Sequence, residues 1–157
     1  FEWNLAMCFL MGASAGGLLP ITFTLMAETV PARHRGWLLV ALGSALGGVL
    51  RYGVARVAPI APGGWAVATL VVNVLGSFLI GLLYPWVAAR GISAENARLF
   101  WMTGVLGGFT TYSAFALETS LLGASGNWAS AAGYTAITVV ACLAAALAGR
   151  ALAMAWS

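Results

Sequence analysis

The chain has 157 residues, enough for one domain, and a formal net charge of +3. Hydrophobic residues make up 62% and charged residues only 7%, where a soluble domain carries about a quarter charged. So few charges cannot coat a water-facing globule, and with a mean hydropathy of +0.96 the composition excludes a soluble fold and specifies an integral membrane protein. All seven bases are Arg, dispersed along the chain, so the positive charge is no nucleic-acid footprint and no nucleic-acid partner is expected. Cys8 and Cys142 both lie in apolar runs and read as packed thiols, not as a disulfide or metal site.

Charge-free runs mark the spans: 3–27, 36–50, 57–89, 99–117 and 119–149. A bilayer core of about 30 Å needs roughly 20 residues of helix. The first candidate covers about 5–27 and is an extra N-terminal helix; with Phe1 leading, no initiator Met and no basic n-region, no cleavable leader is expected and the start reads as a fragment or an unusual one. Four further spans follow at about 37–57, 65–88, 98–122 and 128–152. The tryptophans fall near the ends of these runs, as interfacial aromatic belts do. Turns are expected at Pro59–Gly64 and Gly123–Asn127. The runs are continuous and lack alternation, so the expected fold is an all-α bundle, not a barrel.

Polar side chains in hydrocarbon are costly unless they face protein or water. In the 37–57 span, Gly43 and Gly47 form a small-xxx-small pair suited to close helix approach. Arg51 lies deep in that span and should face a water-filled vestibule or a partner, with Glu118 the obvious candidate. The 65–88 span carries Thr69, Asn73 and Ser77 on one face beside Gly76; this stripe alone reads as interhelical glue before it reads as a pathway.

The 98–122 span shifts that balance. Gly107, Gly108, Phe109, Thr110 and Thr111 stand about halfway across, and paired glycines followed by two threonines are poor helix formers. A broken helix survives in a membrane only when buried in protein or lining a cavity, where freed carbonyls can coordinate a hard cation. The competing reading is a tight glycine crossing with the threonines bonded back to their own helix. Past the break, Tyr112, Phe115 and Glu118 recur at one helical face; aromatic ring edges are positive and can favour an anion. In the last span Ser130, Tyr134, Thr138 and Cys142 form a line of donors spaced by four, weak evidence taken alone.

Three motifs, Gly47-Gly48-Val49-Leu50-Arg51-Tyr52, Thr69 through Phe78, and Gly107 through Phe115 with Glu118, make residues 38–152 closely resemble the fluoride-specific ion channels (the Fluc or CrcB family). The resemblance implies four-span subunits with a broken third helix, paired antiparallel as a dimer with two fluoride pathways. It implies Asn73 as the pore amide, Tyr112 and Phe115 as an aromatic box, Thr111 and Ser113 beside them, and Tyr134, Thr138 and Cys142 along a polar track. Arg51 and Glu118 would be vestibule residues, and a structural Na⁺ would rest on the backbone carbonyls of Gly107 and Thr110. Tyr112 stands where the family usually has Phe, and Cys142 where it often has Ser. The function implied is passive export of fluoride from the cytoplasm across the inner membrane of a prokaryote by a multi-pass channel, not an enzyme. A proton-coupled small-cation or multidrug exporter of similar size is the alternative, and it would need a membrane carboxylate, which only Glu118 supplies.

Residues 1–36 fall outside that pattern. Glu28 through Gly36 resembles a loop of major-facilitator transporters, so this part reads as a remnant ahead of a channel domain at 37–157, with His34 in the loop. By span counting, Arg90, Arg98 and Arg150 share one side with Arg33 and Arg35, against Arg56 on the other. That bias predicts one preferred orientation with the arginine-rich side cytoplasmic. The second subunit is then either the same chain or an oppositely inserted homologue.

Overall fold

A computed structural model describes residues 32–61 and 63–156. The expected span over 5–27, the remnant as far as residue 31 and Cys8 lie outside the described residues. The helices that build the site belong to the unit Leu39–Ser157. Among the described residues the secondary structure is helical, apart from one isolated bridge between Ile60 and Ala66.

Helix α1 covers Ala32–Val57 and α2 Val67–Arg90. A 3₁₀ turn at Gly91–Ala94 leads into a helical run over 95–109, here α3, made of Glu95–Ala97, a π-helical stretch Arg98–Leu106, and Gly107–Phe109. After an interruption at Thr110 and Thr111 the chain resumes as α4, Tyr112–Ala124, and ends in α5, Trp128–Ala155. Three stretches are single helices long and apolar enough to span a membrane: His34–Val57, Val67–Arg90 and Trp128–Ala155. Helices α3 and α4 together cover the stretch expected as the third of these spans, with the break between them. The expected spans over 37–57, 65–88 and 128–152 are matched by single helices, with one correction: His34 stands in the first turns of α1 and not in a loop. The sequence explains this, because Pro31 immediately before Ala32 suits a helix start.

Glycines set the helix spacing. A Cβ on Gly43 would meet the Cα of Gly104 at 2.8 Å, and one on Gly108 would meet the Cα of Ser44 at 2.9 Å, so α1 and α3 touch backbone to backbone. The small-residue pair at Gly43 and Gly47 performs the close approach its spacing implies. α2 and α5 meet the same way, where a side chain on Gly81 would strike the Ala146 carbonyl and one on Gly149 the Phe78 carbonyl.

The connection from α1 to α2 turns on Gly63 and Gly64, whose φ angles of 91° and 81° disfavour any side chain. It is pinned to the start of α5: Trp65 Nε1 donates to Ser130 Oγ at 3.2 Å, and Ser130 Oγ donates to the Gly63 carbonyl at 3.0 Å. The outward surface is apolar, with Val140, Leu143 and Leu147 each more than 60% exposed in mid-α5. Such a continuous exposed apolar face suits lipid or another subunit, not water.

Candidate functional site

The interruption of the third crossing falls on the threonines. Gly107–Phe109 is still α-helical, whereas Thr110 (φ −78°, ψ 157°) and Thr111 (φ −151°, ψ 111°) are extended. Gly108 stays helical against α1, where its missing side chain lets the Ser44 backbone approach; the β-branched threonines take the extended conformation they favour. Ahead of the break, nine residues run as a π-helix, and the Gly107 N–H reaches back to the Met102 carbonyl. π-helical turns are rare and concentrate at functional sites. The sequence reading did not anticipate this stretch.

Asn73 splints the break. Its Nδ2 donates to the Thr111 carbonyl at 3.0 Å, and its Oδ1 accepts the Thr111 N–H at 2.8 Å. The side-chain amide thus pairs with the N–H and the C=O of one residue as a neighbouring strand would. Of the two readings of the Thr69–Asn73–Ser77 stripe, interhelical glue holds for Asn73, which also lines a cavity and keeps one N–H beyond these bonds. Thr111 then caps α4, its Oγ1 accepting the Ala114 N–H at 3.2 Å.

These diversions act on two carbonyls in particular. In a continuous α-helix, the Thr111 N–H would bond the Gly107 carbonyl and the Ala114 N–H the Thr110 carbonyl. Here the first goes to Asn73 and the second to the Thr111 hydroxyl. Gly107 and Thr110 both border the cavity. Among the described residues no cluster of three His, Cys, Asp or Glu side chains exists, so a hard cation bound here would depend on main-chain oxygens.

The cavity has a volume of about 440 Å³ and is lined by Asn73, Gly76, Ser77, Met102, Gly107, Thr110, Tyr112, Phe115, Thr138 and Cys142, with aliphatic residues between them. Among the described residues no charged side chain borders it. The Tyr112 and Phe115 rings are tilted at 56° with centroids 5.6 Å apart; Phe115 is buried while Tyr112 is largely exposed. Thr138 is buried, and its Oγ1 has no hydrogen-bond partner. Thr110, Thr119 and Thr135 each donate to the carbonyl four residues earlier at 2.9 Å, the usual refuge of a helical threonine. Thr138 forgoes that bond.

A second cavity of about 380 Å³ lies beside Arg51, Tyr52, Thr69, Thr111 and Glu118. Arg51 and Glu118 share it as expected, but no ion pair joins them. Glu118 Oε1 instead accepts from Thr69 Oγ1 at 2.6 Å, and Oε2 accepts from the Tyr134 hydroxyl at 2.8 Å. Tyr134 is fully buried, its ring packed between Trp65 and Phe115, and it borders neither cavity. Ser113 is exposed, lies 3.3 Å from Thr111 Oγ1 and likewise borders neither. Of the predicted site residues, the larger cavity collects Asn73, Tyr112, Phe115, Thr138, Gly107 and Thr110, and the smaller one Arg51, Glu118 and Thr111. Met102 was missed, since a methionine in an apolar run carries no signal of a cavity wall. The carboxylate network was missed too, because Thr69, Glu118 and Tyr134 come from three helices.

A family model described as CrcB-like protein, Camphor Resistance (CrcB), matches residues 38–150. A protein of Hyphomonas neptunium named fluoride-specific ion channel FluC is 49% identical over 107 residues, covering 67% of this chain and 84% of that protein. Proteins of the same name from Caulobacter vibrioides and Chloroflexus aurantiacus are 46% and 43% identical over 115 and 113 residues, each covering 71% of this chain and 90% of the relative. The matched stretch spans the elements of the site, and by that match and these identities the chain belongs to the CrcB-like family.

Proposed function

We propose that this chain is a subunit of a fluoride-selective channel that lets the ion leave the cytoplasm passively, and that no chemical step is involved. The observation that carries the reading is the uncharged cavity at the splinted break. Its lining includes the Asn73 amide, Thr138 with a buried hydroxyl that has no partner, and the Tyr112 and Phe115 rings, with no charged side chain among the described residues. Fluoride is small and strongly hydrated; neutral donors can replace its water without trapping it, and weak binding at several places lets it move on. A potential negative inside favours outward movement by about 2.3 kcal/mol per 100 mV, so no energy source is needed. The FluC relatives point to the same ion by name.

In this reading Asn73, Phe115, Tyr112 and Thr138 border the ion's path, Thr111, Ser113 and Tyr134 support it, and Arg51 and Glu118 form the vestibule. A structural Na⁺ would be held by the Gly107 and Thr110 carbonyls, whose helical donors go instead to Asn73 and to the Thr111 hydroxyl; it would stabilise the broken helix. Two subunits would assemble antiparallel in the inner membrane of a prokaryote, the partner being a second copy or an oppositely inserted homologue. The apolar outer faces of the helices support burial in lipid and against a partner. The exporter alternative loses support from Glu118, whose oxygens are both engaged by hydroxyls and offer no open carboxylate for a cation.

Efflux from vesicles reconstituted with the protein tests this function. Fluoride should leave rapidly without a proton gradient while chloride is retained. Equal loss of both ions, or fluoride efflux only when a proton gradient is imposed, would reject it.

A further inference from the structure

Two residues on the wall of the larger cavity carry hydroxyls that bond to none of the described residues. One is Thr138 of α5, whose Oγ1 is buried. The other is Tyr112, the first residue of α4, placed immediately after the break. The two tyrosines beside Phe115 differ sharply in this respect. Tyr134 is buried and its hydroxyl donates to Glu118 at 2.8 Å, whereas Tyr112 is 79% exposed with its ring 5.6 Å from that of Phe115. In the middle of the 98–122 stretch, a phenol hydroxyl turned to hydrocarbon leaves a donor unmet, at a cost comparable to a lost hydrogen bond. An anion in the cavity removes that cost, and the rest of the lining leaves it room to do so. Asn73 spends its oxygen and one N–H on Thr111, so it keeps a single N–H for an ion.

We propose that the Tyr112 hydroxyl donates directly to fluoride in this cavity, and that it raises affinity for the ion at the expense of throughput. The effect on throughput rests on the function proposed above; the binding does not. One amide N–H and one threonine hydroxyl replace only part of the water around a strongly hydrated anion. A phenol O–H adds a third neutral donor, and a hydrogen bond to an ionised acceptor is roughly twice as strong as one between neutral groups. Conduction requires that an ion bind well enough to enter and weakly enough to leave. An added donor deepens one site, so it favours capture when fluoride is scarce and slows release when fluoride is plentiful.

Tyr112→Phe tests this, because it keeps the ring beside Phe115 and removes only the oxygen. Calorimetric titration of the full chain in detergent with fluoride, at constant sodium and with chloride as the reference anion, should show the variant binding about tenfold more weakly than the wild type, the effect of one charge-assisted hydrogen bond. In reconstituted vesicles the variant should need correspondingly more fluoride for half-maximal efflux and reach a several-fold higher maximal rate, with chloride still retained. Tyr84→Phe removes an exposed hydroxyl from α2 that borders neither cavity, and should change neither affinity nor rate. An unchanged fluoride affinity in Tyr112→Phe would overturn the proposal, as would a wild type that binds no fluoride or a weaker-binding variant whose maximal rate falls. A shift confined to the thermal unfolding midpoint would also overturn it, since that is the mark of a hydroxyl used only for packing or for contact with a partner subunit. Absence of efflux from wild-type vesicles would instead count against the channel reading, while the titration still decides the donor.

Discussion

Asn73 and Thr111 are joined by a reciprocal pair of hydrogen bonds, amide to peptide, at 2.8 and 3.0 Å. The pairing fixes which way round the amide sits, because Thr111 offers one donor and one acceptor. Asn73→Asp would put a second carboxylate oxygen against the Thr111 carbonyl, and Asn73→Ala would leave both peptide groups unsatisfied. Each unmade bond in such a setting costs about 1–3 kcal/mol. Both variants are expected to lower the thermal unfolding midpoint in detergent and to abolish fluoride efflux, with the aspartate the more severe. A variant with wild-type stability would show that the splint is dispensable.

Gly76 and Thr110 form the second contact that shapes the break. The Thr110 methyl occupies the space a Cβ on Gly76 would need. Gly76→Ala therefore pushes Thr110 out of position, and overpacking of this kind costs about 1–3 kcal/mol. Thr110→Ser removes the offending methyl and keeps the hydroxyl that bonds the Leu106 carbonyl at 2.9 Å. The double variant should regain much of the stability and efflux lost by Gly76→Ala alone. If the double variant is worse than either single one, the two residues do not share that space.

These two contacts show which features a sequence exposes. The spans, the break within residues 107–111 and the crossing at Gly43 and Gly47 follow from hydrophobic length, poor helix formers and small residues at fixed spacing, and all are local signals. Their outcome within the break was not local. The glycines looked like the weak point, yet both stay helical, Gly108 packed on the Ser44 backbone of α1, and the interruption falls on Thr110 and Thr111. In the same way, the charge rule paired Arg51 with Glu118, but two hydroxyls from α2 and α5 reach the carboxylate first. Hydroxyls at helical spacing carry no mark of their partner, so Thr135 and Thr138 look alike in sequence and differ only in the fold.

That difference between Thr135 and Thr138 can be measured. Thr135 Oγ1 donates to the Ala131 carbonyl at 2.9 Å, whereas Thr138 Oγ1 is buried with no partner. Replacing an unpartnered buried hydroxyl with a methyl removes a desolvation cost of about 1–3 kcal/mol. Thr138→Val should thus be neutral or stabilising in thermal unfolding and still reduce fluoride efflux. Thr135→Val should leave efflux near the wild-type level. The opposite pattern would remove Thr138 from the ion's path.

At the start of α3, Arg98 donates to both Glu95 oxygens, at 2.8 and 2.9 Å. These bonds hold the Glu95 carboxyl below its ordinary value of 4.5. A depressed folded value means the stabilisation is present above the unfolded value and is lost as the pH falls through the folded one. The pair is fully exposed, so its effect is small and salt-sensitive. Unfolding midpoints should be flat from neutral pH down to about pH 5 and any contribution of the pair should vanish below it, a loss absent from Glu95→Gln. A midpoint difference between the two proteins that persists in strong acid would contradict the assignment.

The same ion pair bears on orientation. Counting the 98–122 stretch as a crossing, Arg90, Arg98 and Arg150 would share one side and Arg56 would lie on the other. Arg90 stacks on Trp86, its guanidinium 3.5 Å from a ring centroid, and Arg98 is partnered by Glu95, but acidic residues weigh little in topology selection. The arginine count therefore still favours placing that side in the cytoplasm. Single cysteines introduced at Ser125 and at Ala155, in a background without Cys8 and Cys142, should label from opposite sides of intact cells, Ser125 from outside. An antiparallel pair built from such a chain needs an inverted partner, so expression alone should yield poor fluoride efflux and co-expression with a homologue of opposite charge bias should raise it. Equal labelling of each position from both sides would instead show dual insertion, and a second copy of this chain would then suffice.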